Sequence, residues 1–181
     1  EPLLEVGVKG KSIAQLCCNN GRELLSLKNL GAGYCIGFDA TDAFISQARE
    51  LTRVSGHGDV EFITTDIYDI PDEKSGPYDI VMSTIGVISW MPNLKEFFRI
   101  YSRLTKPGGH LFIEETHPVL MMYEGGENEA SSYICYSYFK EDPWIETTGL
   151  DYYEGTQYKS STHYSFQHTL SDIMMAAIEE G

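Results

Sequence analysis

Residues 13–21 read Ile13-Ala14-Gln15-Leu16-Cys17-Cys18-Asn19-Asn20-Gly21: a short, mostly apolar run followed by small or polar residues that close on a glycine. Bounded in this way, residues 12–17 read as a buried strand, and the turn after it leads straight into a helix expected over 20–30. Asn20 is placed to cap that helix, Leu24, Leu27 and Leu30 share one side of it, and Gly31 stops it. Small residues in such a turn let backbone N–H groups approach an anionic group, which the helix dipole also favours.

The same alternation continues outward. Residues 34–38 form a second apolar run, and Thr41 precedes a helical pattern with Phe44, Ile45, Ala48 and Leu51 on one face. Residues 60–63 and 78–82 read as a third and a fourth strand. The clearest period follows Pro92, with Leu94, Phe97, Phe98, Tyr101 and Leu104 at helical spacing. Lys106-Pro107-Gly108-Gly109 reads as a turn, and Leu111-Phe112-Ile113 starts a fifth strand. Apolar strands that alternate with amphipathic helices predict an α/β fold: an open, mainly parallel sheet with helices on both faces.

After His117-Pro118 the character changes. Eight of the twelve tyrosines, Tyr123, Tyr133, Tyr136, Tyr138, Tyr152, Tyr153, Tyr158 and Tyr164, fall in residues 119–168. Stretches 132–140 and 157–167 are expected as antiparallel strands joined through Glu141-Asp142-Pro143. Thr169 and Asp172 then open a last helix in capping-box fashion, with Leu170, Ile173, Met174, Ala177 and Ile178 as its apolar face. The expected organisation is one domain over 1–181, with a core at 11–115, an insertion at 119–168 and a final helix at 169–180.

The chain has 181 residues with 13 Lys+Arg against 27 Asp+Glu, a formal net charge of −14. That balance argues against non-specific nucleic-acid binding and against an anionic membrane surface. No apolar run reaches the ~18 residues of a spanning helix, and no signal peptide opens the chain. The four cysteines, Cys17, Cys18, Cys35 and Cys135, show neither a disulfide framework nor zinc spacing, as in small thiols of a reducing, cytoplasmic compartment. The start at Glu1 and the stop at Gly181 directly after a helical pattern read as a piece of a longer protein.

Ligands of an open parallel sheet bind beyond the carboxyl ends of its strands. Those ends carry the turn at 17–21, Asp39 (18 residues past Gly21), Thr65-Asp66-Ile67, and Ser83-Thr84. A carboxylate at Asp39 suits the two hydroxyls of a ribose, and one at Asp66 an exocyclic amine. Residues 11–115 resemble the Rossmann-like core of a class I S-adenosylmethionine-dependent methyltransferase. Residues 13–21 match its first motif, Phe38-Asp39 its acidic strand end, Thr65-Asp66-Ile67 its adenine motif, Tyr78-Asp79-Ile80-Val81 its fourth strand and Leu104 to Gly109 its turn before strand five. Residues 163–181 look like that family's last helix.

The resemblance implies S-adenosylmethionine held by Gln15, Cys17, Cys18, Asn19, Gly21, Asp39, Ala40, Asp66, Ile67 and Ser83. Two departures stand out. Gln15 replaces an acid, keeping a hydrogen bond but not a charge, and Cys17 and Asn19 replace glycines, although Asn19 tolerates positive φ. With Gly21 as the turn's only glycine, the fingerprint of nicotinamide enzymes is not met, so an oxidoreductase is a lesser alternative to a methyltransferase. A non-catalytic methyltransferase-like binding protein is the other.

Transfer from a sulfonium needs alignment more than acid–base chemistry. Where the acceptor must lose a proton, His117 is the first candidate base and Glu115 the second. Trp90 and Tyr123 are expected to wall a pocket for a small-molecule acceptor, and residues 121–181, with 11 acids and two lysines, give tyrosine faces for a cationic amine. No metal is expected, because Ser83 and Thr84 stand where carboxylate ligands would be needed. Oligomeric state is not legible.

Overall fold

The opening stretch forms a strand over Ile13–Leu16 (β1), all four residues of which are buried. The computed structural model describes residues 2–123, 133–150 and 155–181. In chain order, a short helix at Pro2–Val6 (α1) precedes β1, and Arg22–Asn29 (α2), Cys35–Asp39 (β2), Asp42–Ser55 (α3), Val60–Thr64 (β3), Tyr78–Ser83 (β4), Leu94–Leu104 (α4) and Thr105–Ile113 (β5) follow. These five strands make one sheet in the order β3-β2-β1-β4-β5, every adjacent pair parallel. Trp144–Leu150 (β6) and Gln157–Ser165 (β7) form a separate antiparallel pair, and Leu170–Glu179 (α5) closes the described chain.

Burial follows strand position. β1 and β2 lie inside the sheet and are apolar along nearly their whole length, whereas the edge strand β3 alternates buried and open positions. One face of the sheet carries Ile13, Cys35, Phe62, Ile80 and Met82, clustered with Leu24 and Leu27 of α2 and Ile45 and Ala48 of α3. On α4, the whole predicted stripe of Leu94, Phe97, Phe98, Tyr101 and Leu104 is buried. Tyr101 is tied to the sheet through a short hydrogen bond between its hydroxyl and Ser83 Oγ.

The chain forms two compact units. The first comprises residues up to Ile85 together with Glu96–Glu114; the second comprises Gly86–Lys95 and Glu115–Gly181. The tyrosine-rich segment thus belongs with the final helix and with a short stretch, 86–95, taken from the expected core. Among the described residues no helix is long and apolar enough to cross a membrane.

Several local expectations are corrected. Gly21, in the left-handed region at φ 73°, and not Asn20, caps α2. Pro92 stands two residues before α4 rather than in its first turn. The Lys106–Gly109 turn is a bulge inside β5: Tyr78 pairs with Thr105 while Ile80 pairs with His110, and Gly108 supplies φ 75°. Residues 133–140 are not a strand, and the partner of β7 is β6; Tyr136, Tyr138 and their neighbours follow an irregular path. Residue 132, Tyr152 and Tyr153 lie outside the described residues. The capping box at Thr169 and Asp172 forms with both of its reciprocal bonds, yet Leu170, Met174 and Ile178 on the expected apolar face remain exposed.

Candidate functional site

The carboxyl ends of β1, β2 and β3 bring the first motif, Asp39 and Asp66 together within the first unit. After β1 the chain turns sharply. Cys17 has φ 52°, Asn19 φ 48° and Gly21 φ 73°, so three alternate residues occupy the left-handed region although only one is glycine. Each non-glycine residue held there costs on the order of 1 kcal/mol, and Asn tolerates it best. Gly21 has no substitute, because a Cβ at this position would stand 2.3 Å from the Phe62 ring.

The turn is pinned by the strand-two acid. Asp39 Oδ2 accepts the Asn19 N–H at 2.8 Å, and Oδ1 accepts the Thr41 N–H at 2.9 Å, which joins the β1 turn to the start of α3. A carboxylate has about four lone-pair sites, so Asp39 keeps acceptor capacity for hydroxyls beyond these two bonds. Asp66 Oδ1 accepts the Tyr68 N–H at 3.0 Å and so caps the short 3-10 turn at Ile67–Asp69. Burial pushes the Cys17 thiol up to about 12, with the Asp39 and Asp66 carboxylates adding to the rise. Burial likewise raises Cys18, so neither thiol is a nucleophile at neutral pH.

Gln15 is the unusual residue of the site. It is 1 % exposed on β1, and among the described residues no donor reaches its Oε1. A buried acceptor without a donor costs on the order of 1–3 kcal/mol.

The other expected cofactor residues divide by exposure. Ala40 is exposed directly after Asp39, whereas the side chains of Cys18 and Ile67 are buried in the core, leaving only their backbone to a ligand. Ser83, expected at the cofactor, is fully buried; its Oγ donates to the Leu16 carbonyl at 3.1 Å and pairs with the Tyr101 hydroxyl. Its function is to tie the end of β1 to β4 and α4. Tyr68, 40 % exposed beside Asp66, was not singled out from the sequence; an aromatic two residues after the strand-three acid was the available signal.

The acceptor candidates all lie in the second unit. Glu115 is spent on the backbone: its Oε1 accepts from Gly86 N–H and Thr116 N–H, each at 2.8 Å, and its Oε2 from Ile88 N–H at 3.0 Å. His117 is exposed, and its Nδ1 accepts the Val119 N–H at 3.2 Å, capping the 3-10 turn at Pro118–Met122. Trp90, 47 % exposed, packs on His163 with ring centroids 5.4 Å apart, and Tyr123 bridges to Ile134. A cavity of about 110 Å³ in this unit is lined by Ile88, Phe166, His168 and Ile173 among others, but by none of His117, Trp90, Tyr123 or any described tyrosine. This cavity is thus walled mainly by apolar side chains rather than by the described tyrosines. Among the described residues no cluster of three or more metal-ligating side chains is found.

The profile of a methyltransferase domain matches residues 13–109, more than half of the chain and the whole of the β1–β5 sheet except its last residues. The chain belongs to the methyltransferase-domain family. The match covers every motif on which the likeness to class I S-adenosylmethionine-dependent methyltransferases rests. This methyltransferase domain is 31% identical over 121 residues to the demethylmenaquinone methyltransferase of Lactococcus lactis, covering 64% of this chain and 46% of the relative. It is 25% identical over 121 residues to the tRNA U34 carboxymethyltransferase of Pseudoalteromonas translucida, covering 67% of this chain and 35% of that one. The chain thus spans less than half the length of these curated relatives. The fold of the domain also matches that of an S-adenosylmethionine-dependent methyltransferase from Mesorhizobium loti, with a TM-score of 0.65 and 18% identity over 99% of this chain and 79% of the other.

Proposed function

We propose that this chain transfers a methyl group from S-adenosylmethionine to a small-molecule acceptor in the cytoplasm, the first unit holding the cofactor and the second recognising the acceptor. The observation that carries the reading is the convergence of the left-handed 17–21 turn, Asp39 and Asp66, beside a buried Gln15 oxygen that no described residue satisfies.

That acceptor set fits the cofactor: Asp39 would accept from the ribose hydroxyls, Asp66 from the adenine amine, and Gln15 Oε1 from the ammonium of the methionine part, while the N–H groups of residues 18–21 are already bonded within the protein. The fit explains why a buried amide oxygen is kept without a partner on β1. When bound, S-adenosylmethionine supplies a methyl group on a positively charged sulfur, already activated for in-line displacement. The chain's own work is then to hold the two reactants aligned, which is worth several kcal/mol without any acid–base step, on the order of 7–11 kcal/mol in well-oriented systems.

Where the acceptor gives up a proton, His168 is better suited than His117. Its Nε2–H donates to the Met91 carbonyl at 2.7 Å, which leaves Nδ1 as the acceptor. Burial lowers its pKa below the ordinary histidine range, outweighing the Met91 bond and the Asp172 charge, so the ring stays neutral near pH 7.

A small molecule is favoured over a nucleic acid by the formal charge of −14, which would repel a polyphosphate backbone. The demethylmenaquinone relative supports an acceptor of this kind; the tRNA-modifying relative marks the contrasting case. Four free thiols support a reducing compartment. The test is turnover: radiolabelled methyl from S-adenosylmethionine should appear on at least one member of a panel of phenols, amines and carboxylates, and not on tRNA. Binding of the cofactor without transfer to any member, or transfer to tRNA alone, would overturn the reading.

A further inference from the structure

The cavity of the second unit has a chemical signature of its own. Its walls are mainly apolar, from Ile88, Pro118, Met121, Phe166 and Ile173. Its volume of about 110 Å³ is somewhat below the ~150 Å³ of a hole that admits benzene, so it takes nothing larger than one small ring or a short branched chain.

Gln167 also lines this cavity. Its Nε2 donates to the Tyr138 carbonyl at 2.9 Å, and because a carbonyl only accepts, that bond fixes the other end of the amide as the oxygen. Gln167 Oε1 is buried, and among the described residues no donor reaches it. Two other polar groups of the lining also present acceptors. The Glu115 carboxylate accepts three backbone N–H bonds, and His168 has its Nε2–H committed to Met91, which leaves an acceptor at Nδ1. Gln167 is thus a lining residue whose buried amide oxygen lacks a donor, and such an atom costs stability until a donor meets it.

We propose that this cavity binds a small apolar ring or branched chain bearing one N–H or O–H donor, which bonds to Gln167 Oε1. The inference rests on the methyltransferase reading for what becomes of the bound molecule, and on the second unit alone for its binding. It narrows the acceptor to a phenol-like or arylamine-like group and makes Gln167 a specificity-determining residue.

Phenol and toluene separate this proposal from the alternatives, since they match in size and differ in the donor. A purely apolar cavity binds toluene more tightly, because phenol must bury an unpaired hydroxyl. Titration into the isotope-labelled chain, followed at the amides of Gly86 and Ser89 and the methyl of Met121, should give phenol a dissociation constant about tenfold lower than that of toluene. Gln167→Met should reverse the order. Toluene binding more tightly than phenol in the unsubstituted chain, or neither probe moving these signals, would overturn the proposal. The order in the unsubstituted chain decides by itself, so a variant that fails to fold leaves the test intact. S-adenosylmethionine titrated into the same sample reports separately on the cofactor reading: its binding without that of phenol sinks the cavity proposal alone.

Discussion

Gln15 holds the tension between stability and binding in one side chain. Its amide oxygen is buried with no donor among the described residues, so the folded chain carries a cost that a bound ammonium would relieve. Gln15→Met keeps the length and removes the orphan acceptor. It should raise the stability of the unliganded chain by about 1 kcal/mol in urea denaturation while weakening S-adenosylmethionine binding about tenfold. A loss of stability in this variant would show that Oε1 is already satisfied. At the same scale, what was legible in the sequence is where the two acids stand: Asp39 ends β2 and Asp66 lies two residues past β3. The burial of Ser83 was not legible, because an exposed and a buried hydroxyl look alike in sequence; the structure shows its Oγ bonded to the Leu16 carbonyl and the Tyr101 hydroxyl.

Among the elements, the β1–α2 connection is the one with no slack. Gly21→Ala would put a Cβ 2.3 Å from the Phe62 ring in a residue at φ 73°. The strain and the collision together should cost about 2–3 kcal/mol and abolish cofactor binding, measurable by denaturation and calorimetry on the same sample. At the opposite end of the sheet, Asp79 joins the chain before β1 to β4 and to the β5 bulge. Its Oδ2 accepts from both Ser12 N–H and Ser12 Oγ–H at 2.8 Å, and Lys106 pairs with Oδ1.

Lys106 first, and then the Ser12 bonds, hold the Asp79 carboxyl down to about 2. A depressed carboxylate stabilises the fold above its unfolded pKa of about 4 and loses that contribution as the pH falls toward 2. Asp79→Asn should therefore cost about 1–2 kcal/mol at pH 7, discounted for the exposure of Lys106, with the difference from the unsubstituted chain vanishing between about pH 4 and pH 2. A difference that stays constant over that range would contradict the assignment. On α5, Thr169→Ala removes the capping box and should cost about 1 kcal/mol, seen as faster amide exchange in the first turn.

Over the whole molecule, legibility tracks burial. The five-stranded sheet could be read because strands covered on both sides are continuously apolar and α4 buries a complete stripe. In the second unit β7 and α5 were legible, but the pairing of β7 was not, for a physical reason: β7 is exposed along most of its length, so no hydrophobic alternation fixed its partner or register. The tyrosines at 133–138 imitate a strand by propensity alone, while in β6 the β-formers Trp144, Ile145, Thr147 and Thr148 are interrupted by Glu146 and Gly149. Its cavity was not legible because it is assembled from residues 86–89, 115–121 and 166–173, which lie far apart in sequence.

The central claim is that the first unit is a working S-adenosylmethionine site despite Cys17 and Asn19 in place of glycines. It is tested most directly by calorimetric titration of S-adenosylmethionine and its demethylated product into this chain and into Asp39→Ala. We expect micromolar binding of both compounds to the unsubstituted chain and none to the variant, with both samples folded by circular dichroism. No binding by a folded unsubstituted chain, or equal binding by the two proteins, would contradict it.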